Sequence, residues 1–106
     1  MMQNAGKELL SIISLTDIKC AVIAVGDYTW SEDATTYTLK VGYNEEELKT
    51  FFNSLCSTTY DSGYGRQELF GTVWLNDGTW LTRGENDGSE WWVHHSLPEI
   101  PILLKI

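Results

Sequence analysis

Two Asp-Gly pairs, Asp77-Gly78 and Asp87-Gly88, lie ten residues apart within the aromatic stretch 60–95. Asp-Gly between alternating or aromatic runs is the strongest short-range signal for a β-hairpin, because the tight turn needs the positive φ that glycine adopts freely. The sequence therefore predicts an antiparallel meander of three strands. These strands are Phe70–Leu75, Thr79–Arg83 and Glu90–His95.

The turn length decides which side chains of this meander share a face. If each Asp-Gly pair forms a two-residue turn, Leu75 pairs with Trp80, and Arg83 pairs with Trp92 in a cation–π contact. The same register sets Glu85 opposite Glu90, which is an unfavourable pair of like charges. The predicted core face carries Val73, Leu75, Trp80, Thr82, Trp91 and Val93. The predicted second face carries Trp74, Leu81, Arg83, Trp92 and His94, and is so apolar that the first helix or a partner must cover it.

The sequence before the meander predicts two strands and two helices. The apolar run Ile18–Val25 is typical of a central strand, and Thr36–Tyr43 alternates like a half-buried strand. Residues 26–35 connect the two as a long loop, and a short first helix is expected within residues 3–15.

The best helix signal follows Asn44, which can form a capping box with Glu47. An apolar stripe at helical spacing then runs through Leu48, Phe51, Phe52, Leu55 and Cys56. The order is (α)ββαβββ, and the predicted fold class is α+β. We expect an antiparallel sheet of about five strands with one main helix packed on one face, in a single domain spanning residues 1–106. Residues 97–106 form a Pro-containing apolar tail that packs on this domain or on another chain.

Charge limits the partners of this chain. Fifteen acidic residues against seven basic ones give a formal net charge of −8, which repels nucleic acid and anionic membranes. The two cysteines, Cys20 and Cys56, lack metal-ligand spacing and are predicted to be buried thiols in a reducing cytosol. The amino-terminal sequence lacks the features of a signal peptide, and its apolar run is too short to cross a bilayer.

Catalysis is not expected. His94 and His95 are adjacent, so on a strand they point to opposite faces and cannot chelate one ion together. No motif for a metal site, a cofactor or a nucleophile with its base is present. The loop 61–66 holds two glycines around a Tyr before an Arg, which suits either a packed loop or an exposed contact site. The candidate partner-binding residues are Trp30, Asp61, Tyr64, Arg66, Trp74, Arg83, Glu85, Glu90, Trp92 and His94.

Several motifs of the second half resemble a family of small proteins of tailed bacteriophages and prophages. The motifs are YDSGYGRQELFGTVW at 60–74, DGTWLTRGE at 77–85, DGSEWW at 87–92, and a His followed by PEIP at 98–101. The resemblance covers about the last 45 residues of the sequence. It implies a phage origin and a location in the host cytoplasm, and it brings no activity or site residues with it.

These observations lead to an expected function by binding. We expect a small acidic phage protein that binds a host protein stoichiometrically and inhibits a defence complex such as a CRISPR effector, with a homodimer as a further expectation. One alternative is a structural or assembly accessory of the phage particle. Another is a module that captures a small ligand between sheet and tail, using Arg83 with Trp91 or Trp92.

Overall fold

The computed structural model describes residues 2–26, 35–61, 67–86, 89–97 and 104. In chain order the elements are β1 (Met2–Asn4), α1 (Ala5–Leu10), a 3-10 turn (Leu15–Asp17), β2 (Ile18–Val25), β3 (Thr35–Leu39), α2 (Glu45–Cys56), β4 (Thr59–Asp61), β5 (Leu69–Leu75), β6 (Trp80–Asn86) and β7 (Ser89–His95). Five strands form an antiparallel sheet in the order β3-β2-β5-β6-β7, and β1 pairs with β4 in a separate two-stranded sheet. The predicted α+β class is confirmed.

Helix α2 begins at the predicted cap. The Asn44 side-chain oxygen accepts from the Glu47 backbone N–H at 2.8 Å, and the Glu47 carboxylate accepts from the Asn44 N–H at 3.2 Å. This capping box satisfies two backbone donors that the first turn would otherwise leave unpaired. The predicted apolar stripe faces the sheet, with Phe51 and Leu55 buried.

Helix α1 is shorter than the stretch 3–15 in which the sequence predicts it. Asn4 caps it by accepting from the Lys7 N–H at 3.0 Å, and the helix ends before Ser11. The Ser11 hydroxyl donates to the Glu8 carbonyl, a local hydrogen bond that competes with helix continuation. The Gly6 backbone lies directly against Cys56 of α2, so the two helices approach closely.

The core lies between the helices and one face of the sheet, which we call the inner face. The α1 and α2 side chains Leu9, Phe51 and Leu55 join one buried cluster with side chains of the strands. The strand members of that cluster are Ile18, Ala21, Ile23, Leu39, Tyr60, Leu69, Val73, Leu75, Leu81 and Trp92. Both helices therefore cover the same side of the five-stranded sheet.

The first hairpin has a three-residue loop, and the predicted two-residue turn is wrong. The Leu75 N–H donates to the Thr79 carbonyl at 2.9 Å, and Gly78 has φ +89°. A type I turn followed by a left-handed glycine is the usual form of this longer loop. Trp74 therefore pairs with Trp80, one residue away from the predicted register.

This single residue exchanges the two predicted faces of β6 and β7, because side chains alternate with a period of two. Arg83, Trp92 and Leu81 join Val73 on the inner face, where the sequence placed them on the second face. The outer face, as we call the opposite side, carries the other set. Its strand residues are Val22 and Ala24 on β2, Thr36 and Thr38 on β3, Phe70, Thr72 and Trp74 on β5, Trp80 and Thr82 on β6, and Trp91, Val93 and His95 on β7.

The second hairpin follows the predicted register. Arg83 lies opposite Trp92, and Glu85 lies opposite Glu90. Strand β3 ends at Leu39 and not at Tyr43 as predicted, because the chain turns at Gly42, which has φ +82°. The β1–β4 pair is absent from the prediction, since three-residue strands are too short to show a period. Cys20 and Cys56 are free thiols, and both are half-buried where the sequence predicts buried thiols.

Candidate functional site

The structure divides the predicted contact residues into three groups. Trp74, Glu85 and His94 are exposed. Trp30, Tyr64 and Arg66 lie outside the described residues, and Asp61 is described only as part of the β4 backbone. The prediction that Arg83, Glu90 and Trp92 lie on an accessible surface is wrong: these three side chains are buried.

The outer face carries three of the four described tryptophans, Trp74, Trp80 and Trp91. Trp74 is 42% exposed, and Trp91 is 43% exposed. Val22, on the strand between β3 and β5, is 36% exposed. None of the strand positions on this face is Asp, Glu, Lys or Arg, although the whole chain carries 22 such residues. Exposed aromatic side chains gathered on one uncharged face make that face a candidate contact surface.

The aromatic rings of the outer face are held in place by their neighbours. The Trp91 ring lies over Gly84, where a Cβ atom would come within 2.8 Å of the indole Nε1. The Trp80 and His95 rings stack with centroids 5.7 Å apart at an angle of 14°. His95 Nε2 and the Thr82 Oγ1 form a hydrogen bond of 2.7 Å. Side chains fixed in this way lose little further freedom on binding a partner.

A charged network lies on the inner face at the other side of the same strands. The Arg83 guanidinium donates to the Glu90 carboxylate at 2.8 Å, to the Glu8 carboxylate at 3.2 Å and to the Tyr60 hydroxyl at 3.0 Å. The Tyr60 hydroxyl also donates to Glu8 in a short hydrogen bond. The guanidinium lies over the Trp92 ring, 4.8 Å from its centroid, as the sequence predicts for this pair. We call these five residues the Arg83 network.

Glu90 resolves the like-charge pairing that the hairpin register creates. Its carboxylate accepts the backbone N–H groups of Glu68 at 2.8 Å and Leu69 at 3.1 Å in addition to the Arg83 donor. These charge-assisted bonds offset the cost of placing Glu90 opposite Glu85, and they tie β7 to the start of β5.

The side chains of Arg83 and Glu90 are only 2% and 0% exposed, so neither can reach a substrate. Burial by itself lowers the pKa of Arg83, but the Glu90 hydrogen bond and the nearby Glu8 and Tyr60 outweigh it and raise that pKa. The guanidinium therefore stays charged, and the Arg83 network acts as a structural ion cluster that holds α1, β4, β6 and β7 together.

Burial also raises the pKa of Tyr60, as does its hydrogen bond to Glu8. An unfolded tyrosine loses its proton above about pH 10, whereas folded Tyr60 keeps it. Above about pH 10 the unfolded state therefore binds fewer protons than the native state. The contribution of Tyr60 to the free energy of unfolding is fully present below about pH 10 and is lost as the pH rises. We expect a loss of about 1.4 kcal/mol per pH unit in the free energy of unfolding above pH 10.

Urea unfolding between pH 9 and 11.5 measures this loss. Tyr60→Phe should remove most of the slope, whereas the control Tyr37→Phe, which also removes a hydrogen-bonded hydroxyl, should keep it. An unchanged slope in Tyr60→Phe would show that other groups cause the alkaline loss.

A second surface lies between the β3 edge and α2. This groove of about 550 Å³ is rimmed by the Glu46 and Glu47 carboxylates, beside Phe51 on its wall. Its other lining residues are mainly hydroxyl and amide side chains: Thr36, Tyr37, Thr38, Asn44, Thr50 and Ser54. Strand β3 is an edge of the five-stranded sheet as described, so the groove runs along an open strand. We call it the acidic groove.

The exposed end of the first hairpin contains a smaller polar cluster. The Thr79 hydroxyl and backbone N–H both donate to Asp77, which lowers the pKa of that carboxyl. His94 Nε2 and the Thr79 Oγ1 form a hydrogen bond of 2.8 Å. Asp77 Oδ1 accepts both of these hydrogen bonds and orders its own turn, a common role for Asp at this position. His94 is thereby tied to the turn at the end of the first hairpin.

The described residues hold no group of three His, Cys, Asp or Glu side chains that could ligate a metal ion. Within the same part of the chain, no helix is long and apolar enough to cross a membrane. The Thr82 hydroxyl on the outer face lies within hydrogen-bond reach of the His95 ring, and the described lining of the acidic groove holds no His or Cys side chain. Two surfaces of different chemistry are described: an uncharged aromatic face on one side and a groove with carboxylates on another.

Comparison with protein-family models, with curated proteins and with solved structures finds no match to this chain.

Proposed function

We propose that this protein acts by stoichiometric, non-covalent binding to a host protein and catalyses no reaction. The observation that carries the proposal is the separation of charge on its surface. The strand positions of the outer face bear no formal charge, whereas exposed acids such as Glu45, Glu46 and Glu47 cluster at the start of α2. A surface divided in this way offers two different binding chemistries.

The acidic groove supplies the contact to the host protein. Its two rim carboxylates and the net charge of −8 complement a surface rich in Lys and Arg. Such surfaces are typical of proteins that hold nucleic acid, and long-range attraction would speed the encounter. Direct binding of this chain to nucleic acid is disfavoured by the same net charge.

In its specific form, the proposal is an anti-defence role for a phage-encoded protein in the host cytoplasm. The motif resemblance supports the phage origin, and the acidity supports competition with nucleic acid for a basic groove of a defence complex such as a CRISPR effector. Inhibition by occupancy needs one protein per complex and no turnover, which fits a chain whose described residues present contact surfaces.

The test is capture of host proteins from a bacterial lysate by the tagged protein at two salt concentrations. We expect a nucleic-acid-binding protein in a one-to-one ratio, and we expect about 0.5 M salt to release it, because exposed ion pairs are screened at that ionic strength. Added duplex or guide nucleic acid should compete for the same protein.

Two neighbouring charge reversals locate the contact. Glu46→Lys places a cation at the rim of the acidic groove and should weaken capture at least tenfold. Glu45→Lys is the matched control, since it makes the same change of net charge in the same helical turn without lining the groove. Equal weakening of capture by both variants would show that the contact depends on net charge and not on the acidic groove. Capture of no stoichiometric partner would contradict the proposed function.

A further inference from the structure

We infer that a second copy of this chain packs on the outer face, so that the protein is a homodimer joined sheet to sheet. This surface adjoins the acidic groove at Thr36 and Thr38 on the β3 edge, and the inference does not depend on the identity of a host partner. Both helices contribute to the buried cluster on the inner face, so among the described residues no element covers the outer one.

Charge identifies the occupant. A basic host protein would find no carboxylate to pair with at any strand position of the outer face. Two copies with a net charge of −8 each repel one another through most of their surfaces. Repulsion is reduced at the outer face, because identical uncharged strand positions meet there and the acidic groove adjoins the face at its β3 edge, through Thr36 and Thr38. A second copy is thus the complementary partner for this face.

The size of the face is sufficient for a weak dimer. Five strands about 4.8 Å apart, of which three are seven residues long, at about 3.4 Å per residue, give a face of about 24 by 24 Å. With β3 shorter than the other strands, each copy would bury about 500 Å², or about 1,000 Å² in total. This is at the small end of specific interfaces, so we expect dissociation constants in the micromolar range.

The geometry suits two-fold symmetry. Antiparallel sheets pack face to face about 10 Å apart with their strands rotated by about 30°. A two-fold axis through the centre of the face brings the Trp74 and Trp91 side chains of each copy against the other copy. Trp91 is already fixed over Gly84, and Trp80 is stacked on His95, so few aromatic side chains must be ordered on association.

Sedimentation equilibrium over a hundredfold range of concentration tests the dimer. We expect a reversible monomer–dimer equilibrium in the wild-type protein. Trp74→Glu and Trp91→Glu should each raise the dissociation constant at least 100-fold, because each buries a pair of like charges at the interface. Val41→Glu is the control: Val41 is 66% exposed in the turn after β3, and its replacement should leave the dissociation constant unchanged.

Labelling with 5-fluorotryptophan tests the same contact without any substitution. We expect the ¹⁹F signals of Trp74 and Trp91 to shift with concentration, whereas buried Trp92, which is only 7% exposed, should not shift. A monomer at every concentration would overturn the inference. So would a dimer that tolerates both Glu variants and is lost in Val93→Pro, because that dimer would pair through the β7 edge. Glu46→Lys, which tests the proposed function, should leave the dimer intact. Loss of host-protein capture in that variant and loss of the dimer in the Trp variants are therefore separate outcomes.

Discussion

Arg83→Met is expected to lower the free energy of unfolding by about 3–5 kcal/mol, the cost of removing one partner from a buried ion pair. Glu90 is 0% exposed on its side chain, and both Glu90 and Glu8 would lose the cation that they share. The two backbone N–H groups that Glu90 accepts cannot replace a full positive charge. Methionine fills a similar volume, so lost packing contributes little to this effect.

Urea unfolding followed by circular dichroism measures the change, and a second substitution separates charge from volume. Glu90→Gln in the Arg83→Met background removes the uncompensated charge and keeps an acceptor for the β5 backbone. The double variant should recover about 1–3 kcal/mol relative to the sum of the two single effects. Arg83→Lys should remain destabilised, because one ammonium group cannot span Glu8, Glu90 and Tyr60 as the guanidinium does. Additive effects of the two substitutions would contradict the role assigned to the ion pair.

The second large effect is expected for Gly71→Ala, with a loss of about 3 kcal/mol. Gly71 has φ +148°, a conformation that side chains with L chirality rarely adopt, and a Cβ there would lie 2.3 Å from the Val22 carbonyl oxygen. That oxygen belongs to the backbone of the neighbouring central strand, so it cannot move aside without disturbing the β2–β5 ladder. Backbone strain and steric overlap therefore both destabilise the Gly71→Ala variant.

Gly42→Ala is the matched control for this substitution. Gly42 also has a positive φ, +82°, but a Cβ there would meet no atom within 4 Å. Only the conformational term applies, and we expect a loss of about 1 kcal/mol. The difference in urea midpoint between the two variants measures the steric part. Equal effects of the two substitutions would show that the sheet relaxes around the new methyl group.

Local signals account for the parts of the fold that the sequence predicts correctly. The capping box of Asn44 and Glu47 is contained within four residues, and the stripe of α2 repeats over three turns. The second hairpin register likewise follows from one Asp-Gly pair with strands close on either side. These features depend on residues that are close together in the chain, so they can be predicted from the sequence alone.

The first hairpin shows why other features of the fold cannot be predicted from the sequence. Gly78 with its positive φ serves equally in a two-residue turn and in the last position of a three-residue loop, so Asp77-Gly78 predicts a turn without its length. One residue of loop length reverses which face is buried. The cation–π contact of Arg83 and Trp92 was therefore predicted correctly, while its location inside the protein was not.

The Arg83 network depends on contacts between distant parts of the chain. Glu8 and Arg83 are 75 residues apart, and Tyr60 and Glu8 are 52 apart. Nothing in the sequence around any one of these residues indicates its partners. The sequence offers one indirect signal, the unfavourable pairing of Glu85 with Glu90, which requires a nearby cation or a backbone donor to compensate it.

The strand order has a consequence for synthesis on the ribosome. Strand β2 (Ile18–Val25) is almost wholly apolar and lies at the second position of the sheet, between β3 and β5. Translation supplies β3 soon afterwards, but the β5 neighbour, which ends at Leu75, emerges only when most of the chain has been made. During that interval one side of an apolar strand stays open, and early hairpins of this kind are where nascent chains aggregate or recruit chaperones.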